Sequence, residues 1–107
     1  MDLTVKCYEA TASFPKSEVY GLTSQIRRSS ASVPANIAEG YGRQTRKVYI
    51  QFLRIAQGSL KETETHIILS KRLGLMKDDN AKGLLGICNE LGKMLRAIIT
   101  SLQKKKP

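Results

Sequence analysis

The stretch Gln25-Ile26-Arg27-Arg28-Ser29-Ser30-Ala31-Ser32-Val33-Pro34-Ala35-Asn36-Ile37-Ala38-Glu39-Gly40-Tyr41-Gly42-Arg43 decides the fold. With Val19 and Leu22, the residues Ile26, Ser29, Val33 and Asn36 or Ile37 recur at spacings of three and four, the period of a helix with one buried face. A helix is predicted over residues 16–40. Pro34 has no backbone N–H and crowds the carbonyl of Ser30, so a kink is expected there. Gly40 and Gly42 are expected to end the helix and permit a tight exit, which Glu39 and Arg43, one turn apart, would lock as an ion pair. Asn36 lies on or beside the seam, amid Ser29, Ser30 and Ser32. Small residues let helices approach closely, and a buried amide needs partners, the carbonyl freed by Pro34 being one candidate. Ser32, Pro34, Asn36, Glu39, Gly40 and Gly42 are therefore read as structural, in preference to a ligand-binding notch.

Working outward, every other segment has the same period. Ala81, Leu84, Cys88, Leu91, Leu95, Ile98 and Leu102 form a heptad seam, widened by Leu85, Met94 and Ile99 into a core-facing stripe. Asp78 or Asp79 suits its start and the terminal lysines its end. The segment before it carries two adjacent rows. One is Val48, Phe52, Ile55, Ser59, Glu62, His66, Leu69 and Leu73; the other is Tyr49, Leu53, Ala56, Leu60, Thr63, Ile67 and Ser70. Two rows imply a helix covered on more than one side, with Thr45 as N-cap and Gly74 as the stop. A short first helix places Leu3, Cys7, Ala10 and Tyr8 inward. Alternating strand patterns and hairpin dipeptides are absent. The expected fold is all-α, a single antiparallel up-down four-helix bundle with helices over 2–12, 16–40, 45–73 and 78–103 and a shortened first helix.

Composition agrees. The 107 residues are 41% hydrophobic and 25% charged, a globular balance, and no apolar run approaches the roughly 18 residues that span a bilayer. Two distant cysteines and one histidine offer no zinc spacing, so no metal or cofactor is expected. Free buried thiols fit a reducing cytoplasm. Eighteen Lys and Arg against nine Asp and Glu leave a charge of +9, which favours anionic partners such as RNA, DNA or an acidic protein surface.

The segment 25–43 resembles the motif of the bacterial four helix bundle proteins, also called 23S rRNA intervening-sequence proteins. The resemblance continues through Phe14-Pro15-Lys16-Ser17-Glu18-Val19-Tyr20-Gly21-Leu22-Thr23-Ser24 and Phe52-Leu53-Arg54-Ile55-Ala56-Gln57-Gly58-Ser59-Leu60-Lys61-Glu62. It implies a bundle that assembles into ring-like pentamers. Members are often encoded within intervening sequences of large-subunit ribosomal RNA genes. Bundle relatives include an accessory protein of diversity-generating retroelements that binds a reverse transcriptase and nucleic acid. Against the family pattern this chain begins midway through helix one, because its start is internal or because the member is short. Thr63 stands where the family usually has leucine, placing a hydroxyl in the second row, where it is expected to loosen packing slightly. Val48 stands where an acid often follows the cap, so no capping box forms.

The antiparallel layout is expected to gather Arg43, Arg46, Lys47, Arg96, Lys104, Lys105 and Lys106 at one pole. Arg46 and Lys47 oppose the dipole of their own helix, and a partner's phosphates would explain them. The short first helix is expected to leave Val33, Ile37, Tyr41, Val48 and Phe52 under-covered, an apolar surface for a homo-oligomer. The sequence carries no catalytic pattern. Glu62 and His66 stand four apart rather than three, Gly40-Tyr41-Gly42-Arg43 lacks the third glycine of a nucleotide loop, and the serines have no neighbouring base. Two functions remain: a non-enzymatic oligomer touching nucleic acid through its basic pole, and a protein-interaction scaffold.

Overall fold

The computed structural model describes residues 1–104, which form α1 (Asp2–Thr11), a 3₁₀ turn (Lys16–Glu18), α2 (Leu22–Tyr41), α3 (Arg46–Arg72) and α4 (Asp78–Lys104). The ends of α3 follow local backbone chemistry. The Thr45 hydroxyl accepts the Val48 N–H at 3.2 Å, satisfying one donor that a helix start leaves open. At the other end Gly74 adopts φ +77°, which L side chains resist, and Gly74 and Leu75 donate back to the carbonyls of Lys71 and Ser70. In α4 the acids Asp78 and Asp79 occupy the first turn and Lys104 the last, matching the helix dipole at both ends.

The second helix starts later than its periodicity suggests. Lys16–Glu18 make only a 3₁₀ turn, and Gly21, at φ −106° and ψ −118°, separates it from α2. The Glu18 carboxylate accepts the Leu22 N–H at 3.4 Å, so the true helix start is supported from this turn. A 3₁₀ turn keeps a three-residue spacing, which is why the apolar period runs across the break. Val19, expected inward, is 47% exposed. At its far end α2 continues through Pro34 and past Gly40 to Tyr41, and Gly42 keeps an ordinary right-handed conformation. Gly40 is therefore a contact residue rather than a helix breaker. A Cβ there would stand 2.6 Å from Phe52 Cβ and 3.3 Å from the Tyr49 carbonyl oxygen.

Neighbouring helices pack in the order α1–α2–α3–α4 and back to α1, while α2 and α4 stand on one diagonal and α1 and α3 on the other. Of the two rows on α3, the core one is Leu53, Ala56, Leu60, Thr63, Ile67 and Ser70. The row beginning at Val48 and Phe52 is half-buried there and runs out to exposed Ile55, Leu69 and Leu73. Ile26 and Val33 of α2, Leu3 and Cys7 of α1, and Ala81, Leu84, Cys88, Leu95 and Ile99 of α4 complete the core. Met94, placed by its spacing in the core stripe, is 57% exposed, and Tyr8 is exposed beneath the Arg27 guanidinium, 4.5 Å from the ring centre.

A ladder of small polar residues joins α2 to α3. Ser32 and Ser59 share a hydroxyl–hydroxyl bond of 2.8 Å, and the Thr63 hydroxyl stands 2.8 Å from both Ser29 Oγ and the Ser59 carbonyl oxygen. Thr63 is thus buried and hydrogen bonded, which removes most of the cost of placing a hydroxyl in the core row. The Asn36 amide donates to Ser32 O at 2.8 Å and to Ser32 Oγ at 2.9 Å, not to the carbonyl freed by Pro34. That carbonyl, on Ser30, accepts instead from the Thr4 hydroxyl of α1 at 3.0 Å. The defect that proline makes in α2 therefore becomes a docking point for α1.

The first helix covers only one end of the bundle. Its C-terminal end is tied to α2 by Arg27 Nε, which donates to Thr11 Oγ1 at 2.9 Å. Its N-terminal end meets α4 at Ile87, Glu90 and Leu91. Beyond Leu91 the α1 corner is open, leaving a trough between α2 and α4 in which Leu91, Ile98, Leu102 and Ile37 are half-buried and Tyr41 is 78% exposed. This relocates the expected bare surface. Val33 is only 2% exposed, and Val48 and Phe52 are half-buried, because α2 and α3 pack along their shared length. The open corner lies on the other side of α2, facing α4.

Candidate nucleic-acid interface

The chain's topology brings the end of α2, the start of α3 and the end of α4 to one pole. Arg46 and Lys47, in the first turn of α3, line an open furrow with Ile50 and Gln51, closed on its far side by Leu102 and Gln103 of α4. Lys104 follows directly as the last residue of α4. Of the expected cluster, Arg46 and Lys47 line this furrow together, and Lys104 is next in sequence to its lining residue Gln103. Lys105 and Lys106 lie outside the described residues. Arg43 is at the same pole but already engaged: it pairs with Glu39, as expected from their spacing, and its guanidinium lies 5.2 Å from the Phe52 ring centre. Arg43 acts mainly as a clasp on the α2–α3 turn, leaving part of its charge to solvent.

Arg96 does not join the pole. It lies eight residues before Lys104, about 12 Å further down α4, where it borders a second stretch of the α3/α4 furrow with Arg54, Gln57, Gly58, Lys61 and Gly92. Its Nη1 is 3.6 Å from where a Cβ would stand on Gly92, so the guanidinium folds over the glycine into the furrow. Arg54 and Lys61 are new to the site. Their sequence signal is Lys47, Gln51, Arg54, Gly58 and Lys61 at spacings of four and three, a polar row on α3 that the apolar rows overshadow. No carboxylate lines either stretch among the described residues. Lys61 is loosely paired with Glu64 at 3.6 Å on a largely exposed side chain, a contact worth little in water.

Reactive groups elsewhere are held inert. Burial raises the Cys7 thiol to about 11, partly opposed by a hydrogen bond with Ser30, and raises Cys88 to about 12, with Glu64 and Cys7 adding repulsion. Both stay protonated at neutral pH, and the thiol is a poor nucleophile and ligand. The serine hydroxyls of α2 bond to Thr63, to the Arg27 carbonyl and to Ser59, none of them to His66. No helix among the described residues is long and apolar enough to cross a membrane.

Comparison with known proteins agrees with this architecture. A solved structure from Bacteroides thetaiotaomicron VPI-5482, described as a protein of unknown function from the S23 ribosomal protein family, is similar over 92% of both chains, with 27% identity and a TM-score of 0.82. No curated protein matches. The family model described as 23S rRNA-intervening sequence protein matches residues 1–97. A match of that extent covers α1, α2, α3 and most of α4, and the chain belongs to the 23S rRNA-intervening sequence protein family.

Proposed function

We propose that this chain is a non-enzymatic helical-bundle protein that assembles with itself and holds the backbone of RNA or DNA, in the cytoplasm, through its basic pole. One observation carries the reading: Arg46 and Lys47 line a furrow in which no carboxylate stands among the described residues, and both sit against the unfavourable end of the α3 dipole, with Lys104 ending α4 beside the furrow residue Gln103. Phosphates relieve that repulsion, and releasing their counterions supplies most of the affinity. The test is anisotropy of a labelled oligonucleotide titrated across salt concentrations. The logarithm of the affinity is expected to fall linearly with the logarithm of salt, and Arg46→Gln/Lys47→Gln to make that slope shallower by about 1.4 for a single strand, from roughly 0.7 per phosphate contact. Absence of binding at low salt would refute the reading.

Self-association rests on the open α1 corner. Burial gains roughly 25 cal/mol per Å², so a few hundred Å² of trough contributes several kcal/mol toward assembly. A closed ring is the expected product, five copies being the number that the family resemblance implies. Sedimentation at micromolar concentration should show the oligomer, and Ile98→Arg should dissociate it to folded monomers. A wild-type monomer at that concentration would leave the trough to an unrelated protein, the scaffold reading, which the same half-buried apolar residues and exposed Tyr41 favour.

A further inference from the structure

We propose that the bound strand does not stop at the pole but runs down the α3/α4 furrow, with Arg54, Arg96 and Lys61 as further phosphate ligands on a floor kept open by Gly58 and Gly92. The inference rests on the nucleic-acid reading above and extends it to a path and a strand class. The two stretches of furrow lie on the same side of α3, one beginning at Arg46 and the other ending at Lys61. At about 1.5 Å per residue this path is roughly 22 Å long. Arg54 and Arg96 form no ion pair among the described residues; both are exposed, and Arg96 Nη1 reaches over Gly92 at the furrow. Two unpaired guanidinium groups lining one furrow raise its positive potential, which favours an anion there. Nothing stands within 4 Å of a Cβ added at Gly58, so the floor is open on the α3 side as well.

The shape selects the ligand. Packed helices have axes about 8–10 Å apart, so the furrow between them admits one strand and not a duplex. Among the described residues no aromatic side chain lines it, which removes base stacking, the usual second source of single-strand affinity. The ligand class is therefore a single-stranded polyphosphate backbone, RNA or DNA, gripped without reading its bases.

Anisotropy with labelled oligouridylate and oligothymidylate of about 12 nucleotides, and with a duplex of equal length, tests this on the full chain. Arg54→Gln/Arg96→Gln is expected to weaken single-strand binding about tenfold at low salt and to make the salt slope shallower by about 1.4. Gly58→Leu changes no charge and its Cβ enters open space, yet should weaken binding comparably by filling the floor. Lys77→Gln/Lys82→Gln, the charge-matched control at the far pole, should change binding less than about twofold, within general electrostatics. Circular dichroism confirms that each variant folds. If the furrow variants bind like this control while Arg46→Gln/Lys47→Gln weakens binding, the furrow path is wrong and the pole reading stands. If the wild type binds no oligonucleotide, both fall. Furrow-dependent preference for the duplex would overturn the single-strand assignment.

Discussion

Gly40→Ala is expected to destabilise the bundle by about 2 kcal/mol, although alanine is the better helix former by about 1 kcal/mol. Two opposing terms decide the sign. The backbone at Gly40 is inside α2 with no positive φ, so alanine meets no conformational strain. Its methyl, however, would stand 2.6 Å from Phe52 Cβ, 3.0 Å from Tyr49 Cδ1 and 3.3 Å from the Tyr49 carbonyl oxygen. A Cβ and a main-chain oxygen cannot swing aside as the tip of a long side chain can. The helices must part, and overpacking of this kind costs about 1–3 kcal/mol or more. Parting α2 from α3 also disturbs Phe52 beneath Arg43 and the edge-on contact of Tyr41 with Tyr49, 6.0 Å between ring centres. Gly86→Ala is the matched control: nothing lies within 4 Å of its added methyl, so only the helix-propensity gain of about 1 kcal/mol remains. Urea denaturation of both variants should therefore move the midpoint in opposite directions. A stabilised Gly40→Ala would show that α2 and α3 are not in close contact there.

Those glycines illustrate which features were legible in the sequence. A cap such as Thr45 or a stop such as Gly74 is local chemistry, and both ends of α3 fall where that chemistry puts them. The Glu39–Arg43 pair is likewise a matter of one helical turn. A glycine's reason is different when it depends on a partner: Gly40 reads as a breaker until Phe52 is placed against it. The same applies to Ser30, whose freed carbonyl is evident from Pro34, but whose donor, Thr4, is twenty-six residues away. On α3 the two rows had equal claims to the core by spacing. The choice between them came from α2, whose serines approach Ser59 and Thr63 closely enough for hydroxyl contacts. At the candidate site, residues next to helix ends could be assigned to a pole by topology alone. Arg96 could not, since eight residues of helix separate it from that pole, and its neighbours Arg54 and Lys61 depend on which face α3 turns beside α4.

Raising the pH from 8 to 10.5 is expected to cost the fold about 4 kcal/mol through Cys7 and Cys88 alone. Both thiols are raised from 9.0 by burial, Cys7 to about 11 and Cys88 to about 12. The sign follows from proton binding. Below pH 9 folded and unfolded chains both keep their thiol protons, and the stabilisation is fully present. Above pH 9 the unfolded chain releases them and the folded chain does not, so unfolding is favoured by about 1.4 kcal/mol per thiol for each further pH unit, until the folded thiols ionise in turn near 11 and 12. The two groups lie on α1 and α4 and are buried in the core that these helices share, so ionising either loosens the docking of α1. Lysines and tyrosines also titrate in this range, and a Cys7→Ala/Cys88→Ala variant removes their contribution by comparison. That variant should start less stable, because two small core side chains are shortened, yet lose about 4 kcal/mol less than the wild type over the same interval. Parallel pH curves would mean that the thiols ionise as freely in the folded chain as in the unfolded one. The short first helix would then be undocked for much of the time, and the Thr4–Ser30 bond with it.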